Sequence, residues 1–546
     1  MGFDPIRLEV FKNLFAALAE EMGVVLRKAS YSPNIKERRD FSCAVFDQSG
    51  KMIAQAAHIP VHLGSMPLSV SAAISEYSAP PRDGSLQDGL HPGDMILLND
   101  PFRGGTHLPD ITLVAPVFIT ADDQTNQLVG FVACRAHHAD VGGMTPGSMP
   151  IAREIFQEGL ILPPVKLMKK GELDRDILKI LLANVRTPGE RQGDIMAQVA
   201  ANQRGASRLT ELISRYGKFE VNLYMHELLA YSERMTRALI KGLPDGSYRF
   251  IDYLDDDGIG TEPIPICVEI TIEDDHAVVD FTGSSEQVSG SMNAVYAITL
   301  SAVYYVFRCL VGLDIPNNSG CLEPIQIIAP EGSVVNARHP APVAGGNVET
   351  SQRIVDVLLG ALSQANPHLV PAASQGTMNN LTIGGWDSEK GTLFAYYETI
   401  AGGMGARPDS HGLSALHSHM TNTLNTPIEA LEYAYPLRVL CYEIRQGSGG
   451  TGKYCGGNGV RRDIQVLTDS QVSLISERRK LQPYGLGGGK PGLPGQNRII
   501  RAGIEEPIPS KGTFSLQAGD IISIRTPGGG GFGLGSSGKE DEEQVE

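Results

Sequence analysis

No stretch of this chain offers the roughly 18 uninterrupted apolar residues that a helical membrane span requires, so no membrane protein of that kind is expected. Basic excess is missing too. With 46 Lys and Arg against 62 Asp and Glu, the net charge is −16, which excludes nucleic-acid binding through a general basic surface. The first residues carry Asp4, Arg7, Glu9 and Lys12 where a secretory signal would need an apolar core, and a cytoplasmic location is expected. The seven cysteines (Cys43, Cys134, Cys267, Cys309, Cys321, Cys441 and Cys455) are scattered, odd in number and never in a Cys-x-x-Cys pair. They read as reduced, mostly buried thiols rather than as a disulfide framework. No Gly-x-Ser-x-Gly elbow or catalytic-cysteine context occurs, so no protein nucleophile is indicated. A repeat of fixed period is also absent.

What is present is 546 residues of ordinary globular composition, 42% hydrophobic and 20% charged, too long for one core. The expected fold is α+β and multi-domain, with mixed and antiparallel sheets and packed helices. Its divisions are a metal-site domain over 1–240, a glycine-rich α+β domain over 241–533 and a disordered acidic tail over 534–546. Asp4-Pro5 followed by Leu8, Phe11, Phe15, Leu18 and Met22 predicts a capped amphipathic helix to about Lys28. Strands are expected over Phe41 to Asp47, Lys51 to Ala56 and Met95 to Asn99. Thr187-Pro188-Gly189-Glu190 reads as a capping box opening a long helix, with Arg186 and Arg191 facing solvent or, as the alternative, a partner.

The most informative stretch runs from Asp100 to Gly143. Two apolar runs, Ile111 to Ile119 and Leu128 to Ala136, flank the polar stretch Thr120 to Gln127, which predicts a β-hairpin with a longer loop. In a hairpin centred there, residues whose numbers sum to about 247 face each other, so Asp110 lands opposite His137 and His107 near Asp140. Imidazole nitrogens and carboxylates gathered at the hairpin's open end suit Mn²⁺, Fe²⁺ or Zn²⁺ and leave positions open for water or substrate. The alternative is a set of hydrogen-bonding loop residues without a metal. Pro116 inside the first run calls for a bulge or an edge. A register shift there would leave open whether His137 or His138 is the ligand.

Several other motifs carry polar groups. Asn34 to Asp40 sets six of them ahead of a strand, with Asp40 a candidate base or substrate anchor and a solvated loop the alternative. Gly345 to Arg353 joins flexible backbone to Asn347, Glu349, Gln352 and Arg353 before a helix. Thr350 or Ser351 could serve there as a simple N-cap, but the polar set exceeds what capping needs. His58 and His62 read as structural histidines, and His417-Ser418-His419 as a weak second metal candidate. Gly447 to Lys453 nearly spells a phosphate-binding loop, but Tyr454 stands where a hydroxyl ligand for Mg²⁺ belongs and glycines break the following helix, so a glycine-rich turn pair suffices.

Taken together, Asn34 to Cys43, Asn99 to Asp110, Ala136 to Gly143, Gly345 to Arg353 and Pro527 to Gly533 resemble the hydantoinase B/oxoprolinase family over about residues 4 to 533. That resemblance implies one subunit of an ATP-dependent enzyme that opens cyclic amides such as hydantoins, oxoproline or lactams. It implies a divalent metal on His107, Asp110 and His137, the family pattern Ala-His-x-Asp favouring His137 over its neighbour. Asp40 and Glu349 are the acid-base candidates. It also implies a hydantoinase A-type ATPase partner that binds ATP and Mg and phosphorylates the small cyclic amide, in a heterotetramer or larger assembly. Two alternatives are the metal-bearing subunit of a ketone carboxylase and a non-catalytic scaffold for the ATPase.

Overall fold

The computed structural model describes residues 4–56, 58–78, 89–120, 125–312 and 315–535; the expected acidic tail lies almost wholly outside them. The described residues form an α+β structure of nine helices and four sheets, three of them antiparallel and one mixed. Among them no helix is long and apolar enough to cross a membrane, and all seven cysteines are free.

The sheet that matters most has seven strands, in the order Met52–Gln55, Phe41–Phe46, Asn126–His137, Asp110–Thr120, Met95–Leu98, Val165–Lys169 and Glu172–Leu173. Its central strands are nearly all buried because both faces are covered, which is why they read as continuous apolar runs rather than alternations. Successive side chains point to opposite faces. Cys43, Val45, Leu113, Ala115 and Cys134 join the core beneath the helices Pro5–Ala29 and Pro188–Tyr216. Ala44, Phe46, Val114, Phe131 and Ala133 instead pack with Met66, Val70 and Tyr304, which belong to the helices Ser65–Ser78 and Tyr296–Val311.

The N-terminal helix starts as its sequence requires, with the Asp4 carboxylate accepting from the Ile6 N–H. The helix Pro188–Tyr216 also starts where expected, but the Thr187 side chain makes no capping bond. Arg191 is not a solvent-facing cation, and Arg186 is only partly exposed. Arg186 pairs with Asp140 at 2.9 Å, and the fully buried Arg191 pairs with Asp194 at 3.1 Å and Glu190 at 2.9 Å.

A helix ends at Lys241 and the next strand begins at Gly246, yet the largest apolar core runs on from Leu8 through Ile475. A second core, from Leu381 to Ile524, lies between two C-terminal sheets. There the glycine-rich segments stack backbone on backbone: Gly450 N–H donates to Gly529 O, and Gly529 N–H to Gly457 O. A Cβ on Gly528 would sit 1.9 Å from Ser448 O, so that position admits glycine alone. The segment resembling a phosphate-binding loop belongs to this layer, and the strand Val460–Val466, not a helix, follows it.

Candidate metal centre

The hairpin pairs in the register that its sequence predicts. Asp110 faces His137, Ile111 faces Ala136, and the pairing continues unshifted to Val117 and Gly130. The irregularity falls between Val117 and Phe118, on the loop side of Pro116. Pro116 also lies beyond residues 112–114, the part of its strand that Met95–Leu98 pairs, so its missing N–H disrupts little. The open end is therefore in the uninterrupted register.

Ahead of Asp110 the chain makes a turn in which Asp110 N–H donates to His107 O at 3.0 Å, setting both side chains on one side. Asn99 fixes the loop by donating to Leu108 O at 2.8 Å and Leu160 O at 2.9 Å while accepting from Leu162 N–H at 2.7 Å. The result is a triangle: His107 Nε2 to Asp110 Oδ1 is 3.1 Å, His137 Nδ1 to the same oxygen 3.2 Å, and the two nitrogens are 3.2 Å apart. Among the described residues this is the one group of three or more His, Cys, Asp or Glu side chains so gathered. Asp140, expected beside His107, lies elsewhere. Its carboxylate accepts from Gly142 N–H and Gly147 N–H and pairs with Arg186.

Donors bound to one ion at about 2.1 Å, with angles between octahedral and tetrahedral, stand about 3.0–3.4 Å apart. The observed triangle fits that requirement. The tautomers fit as well. His107 Nδ1 lies 3.4 Å from Ala344 O, a carbonyl acceptor for its proton, which leaves the Nε2 lone pair facing the triangle. His137 Nε2 is buried without a partner and can hold the proton that leaves Nδ1 free. His138 faces the other way, its Nε2 3.0 Å from Gln198 Oε1 on the long helix. His137 is thus the histidine of the pair that joins the cluster.

A set of neighbours orients these groups. Thr106 Oγ1 donates to Asp110 Oδ2 at 2.7 Å, and Asn347 Nδ2 lies 3.0 Å from His107 Nε2 and 3.4 Å from Asp110 Oδ2. Tyr397 stacks on His137, centroids 4.3 Å apart and planes at 17°. Glu158, wholly buried, accepts from the Val343 and Ala344 N–H groups and so holds the carbonyl that His107 meets; burial pushes its carboxyl up to about 7. Burial by itself would raise Asp110, but His107, His137 and His62 together hold its carboxyl well below the usual range. His62, which reads from sequence as structural, puts Nε2 3.4 Å from Asp110 Oδ2.

Beside the triangle lies a cavity of about 20 Å³, room for about one water, bounded by Asp40, His62, Asp110, His137, Asn347 and Tyr397. Asp40 therefore does share the cavity beside the cluster. Burial raises its carboxyl, against the pull of His137 and Arg38, and its backbone carbonyl accepts the His137 N–H at 3.0 Å. Glu349 does not line this cavity. Its Oε1 accepts from Met378 N–H at 3.0 Å and Asn380 Nδ2 at 2.7 Å, and Asn380 Oδ1 accepts from the Tyr397 hydroxyl at 2.9 Å. It thus meets His137 only through Asn380 and the stacked Tyr397.

The segment Gly345 to Arg353 is not an N-cap. Gly346–Thr350 forms one wide π turn running into the helix Ser351–Ala365, Thr350 Oγ1 donates to Met292 O, and Ser351 Oγ donates back to Asn347 O at 2.7 Å. That turn brings Asn347 to the cluster. Neither His62 nor Tyr397 had a spacing signal, because each arrives from a distant element.

The family model described as hydantoinase B/oxoprolinase matches residues 4–534. The chain is 41% identical over 560 residues to 5-oxoprolinase 1 of Arabidopsis thaliana, covering 97% of this chain and 42% of that one. It is 34% identical to a protein of a Pseudomonas strain named as a putative D-/L-hydantoinase subunit, covering 97% and 90% of the two chains. Among solved structures, the ATP-dependent caprolactamase of Pseudomonas jessenii superposes with a TM-score of 0.89 at 30% identity, over 98% of this chain and 92% of that one. Acetone carboxylase shares the fold, with a TM-score of 0.88 at 20% identity over 97% and 76% of the two chains.

Proposed function

Since the chain belongs to the hydantoinase B/oxoprolinase family, we propose that it is the metal-holding subunit of an ATP-dependent cyclic-amide hydrolase. A hydantoinase A-type partner would bind ATP and Mg and phosphorylate the amide oxygen, and this chain would open the ring. Relatives named as 5-oxoprolinase, D-/L-hydantoinase and caprolactamase support that reading. The chain spans about two-fifths of the 5-oxoprolinase, 42%.

The observation that carries the proposal is the triangle of His107, Asp110 and His137 beside a cavity the size of one water. A divalent Mn, Fe or Zn ion held there supplies Lewis-acid polarisation of the reacting oxygen. The chain's own residues do the rest. Thr106 and Asn347 fix the Asp110 carboxylate, while Tyr397 fixes the plane of His137. Asp40, at the cavity wall, accepts a proton from the attacking water and returns it to the ring nitrogen as the C–N bond breaks; the phosphoryl group stays on the new carboxyl oxygen and leaves as inorganic phosphate when a second water attacks. Glu349 acts at one remove, holding Asn380 and through it the Tyr397 hydroxyl.

The test is reconstitution with the ATPase subunit and a panel of hydantoin, 5-oxoproline and lactam substrates. ATP-dependent ring opening without bicarbonate is the expected result. Turnover of a ketone that requires bicarbonate would replace this reading with the carboxylase one.

A further inference from the structure

A second, larger cavity adjoins the first. It has a volume of about 810 Å³, within the range of small-molecule sites, and Thr421 lines both cavities. The wall between them includes the segment from Ser418 to Asn422, tied down where Val61 N–H donates to Met420 O at 3.2 Å.

Its lining is less acidic than the molecule as a whole. In a chain with a net charge of −16, the lining carries one cation, Arg407, and one carboxylate, Asp409, so that it is formally neutral, with His368, His417 and His419 beside them. Ser418 and His419 are each more than nine-tenths buried, and Ser418 Oγ and His419 Nε2 have no hydrogen-bond partner. The carboxylate nearest that nitrogen, Asp356, stops at 4.0 Å, beyond hydrogen-bond reach. His419 also holds a left-handed backbone, φ 58°, a conformation that non-glycine residues keep at a cost and that clusters at functional sites. Val306, Leu310, Leu359 and Val370 give the same cavity an apolar side.

We propose that this cavity is a reception site for a small ring compound bearing one oxyanion, the charge met by Arg407 and the ring by the apolar side. A bound molecule would lie one wall away from the metal triangle. The inference rests on the reading above in one respect: that the substrate is a small cyclic amide, whose oxyanion is either its own carboxylate or the phosphate the partner adds. Both are met by the same charge-assisted donors.

Isothermal titration of the purified chain with 5-oxoproline, inorganic phosphate and uncharged 2-pyrrolidone tests it. At least one of the two anions should bind, at least tenfold tighter than 2-pyrrolidone, and which one binds identifies the source of the charge. Arg407 is exposed, so Arg407→Ala should fold normally and weaken that binding at least tenfold. His107→Ala, outside this cavity, should leave it unchanged. Absence of anion binding, or equal binding by wild type and Arg407→Ala, overturns the site. Binding that is lost in His107→Ala and kept in Arg407→Ala also overturns it, placing the anion at the triangle, and leaves the metal reading intact.

Discussion

Asp110 and His137 face each other across two antiparallel strands, and that single register pair puts His137 Nδ1 3.2 Å from Asp110 Oδ1. His138, one residue on, is turned to Gln198. Replacement of these neighbours should therefore have unequal effects. His137→Ala should lower metal affinity more than 100-fold, beyond the 10–100-fold typical of outer-shell changes, whereas His138→Ala should leave it within a few fold. Metal titration of the two apo-variants measures this, and equal losses would contradict the assignment.

Asp40 lines the cavity but stands outside the triangle. Asp40→Asn should keep the metal and lower the ring-opening rate of the reconstituted enzyme by about 10²–10⁴-fold, the range for loss of a general base. Parallel measurements of metal content and kcat check it. A variant that loses metal along with activity would make Asp40 a ligand instead.

Glu349 sets a pH dependence of stability. Burial and the neighbouring Glu477 push its carboxyl up to about 8 from an ordinary value of 4.5. Between those values the folded state holds a proton that the unfolded state has released, so stability falls as pH rises, on the order of 1.4 kcal/mol per unit for a single group. The loss is complete above the folded value. Glu349→Gln removes the titration, so its melting temperature should fall less than that of the wild type from pH 6 to pH 9. Parallel curves would contradict the assignment.

Arg478 binds Asp252 at 2.6 Å and Asp356 at 2.7 Å inside the protein, and Asp356 lies on the helix that follows the Asn347 turn. Removing the guanidinium leaves buried carboxylates short of a partner, so Arg478→Ala should cost about 3–5 kcal/mol in chemical denaturation. A loss below about 1 kcal/mol would mean that Arg353, 3.0 Å from Asp252, compensates.

The hairpin register was legible in the sequence because two apolar runs about a polar loop define a centre, and pairing arithmetic then places Asp110 opposite His137. The Asp4 cap was legible for a similar local reason. Asp140 misled because pairing arithmetic extends past the last ladder pair, where the chain turns away and the Gly142 and Gly147 N–H groups, with the backbone and guanidinium of the distant Arg186, claim the carboxylate. Arg191 misled because a charged side chain on a helix faces solvent by default, and nothing in the local pattern announces that Asp194 is buried with it beside the half-buried Glu190. His62 and Tyr397 reach the cluster from other elements, so no spacing rule could find them.

The most direct test of the central claim is elemental analysis of the purified protein beside His107→Ala and Asp110→Ala. About one equivalent of Mn, Fe or Zn in the wild type, lost in both variants while the fold is retained, is the expected result. A folded wild type that binds none of the three ions when they are supplied would contradict the metal centre and the hydrolytic mechanism built on it.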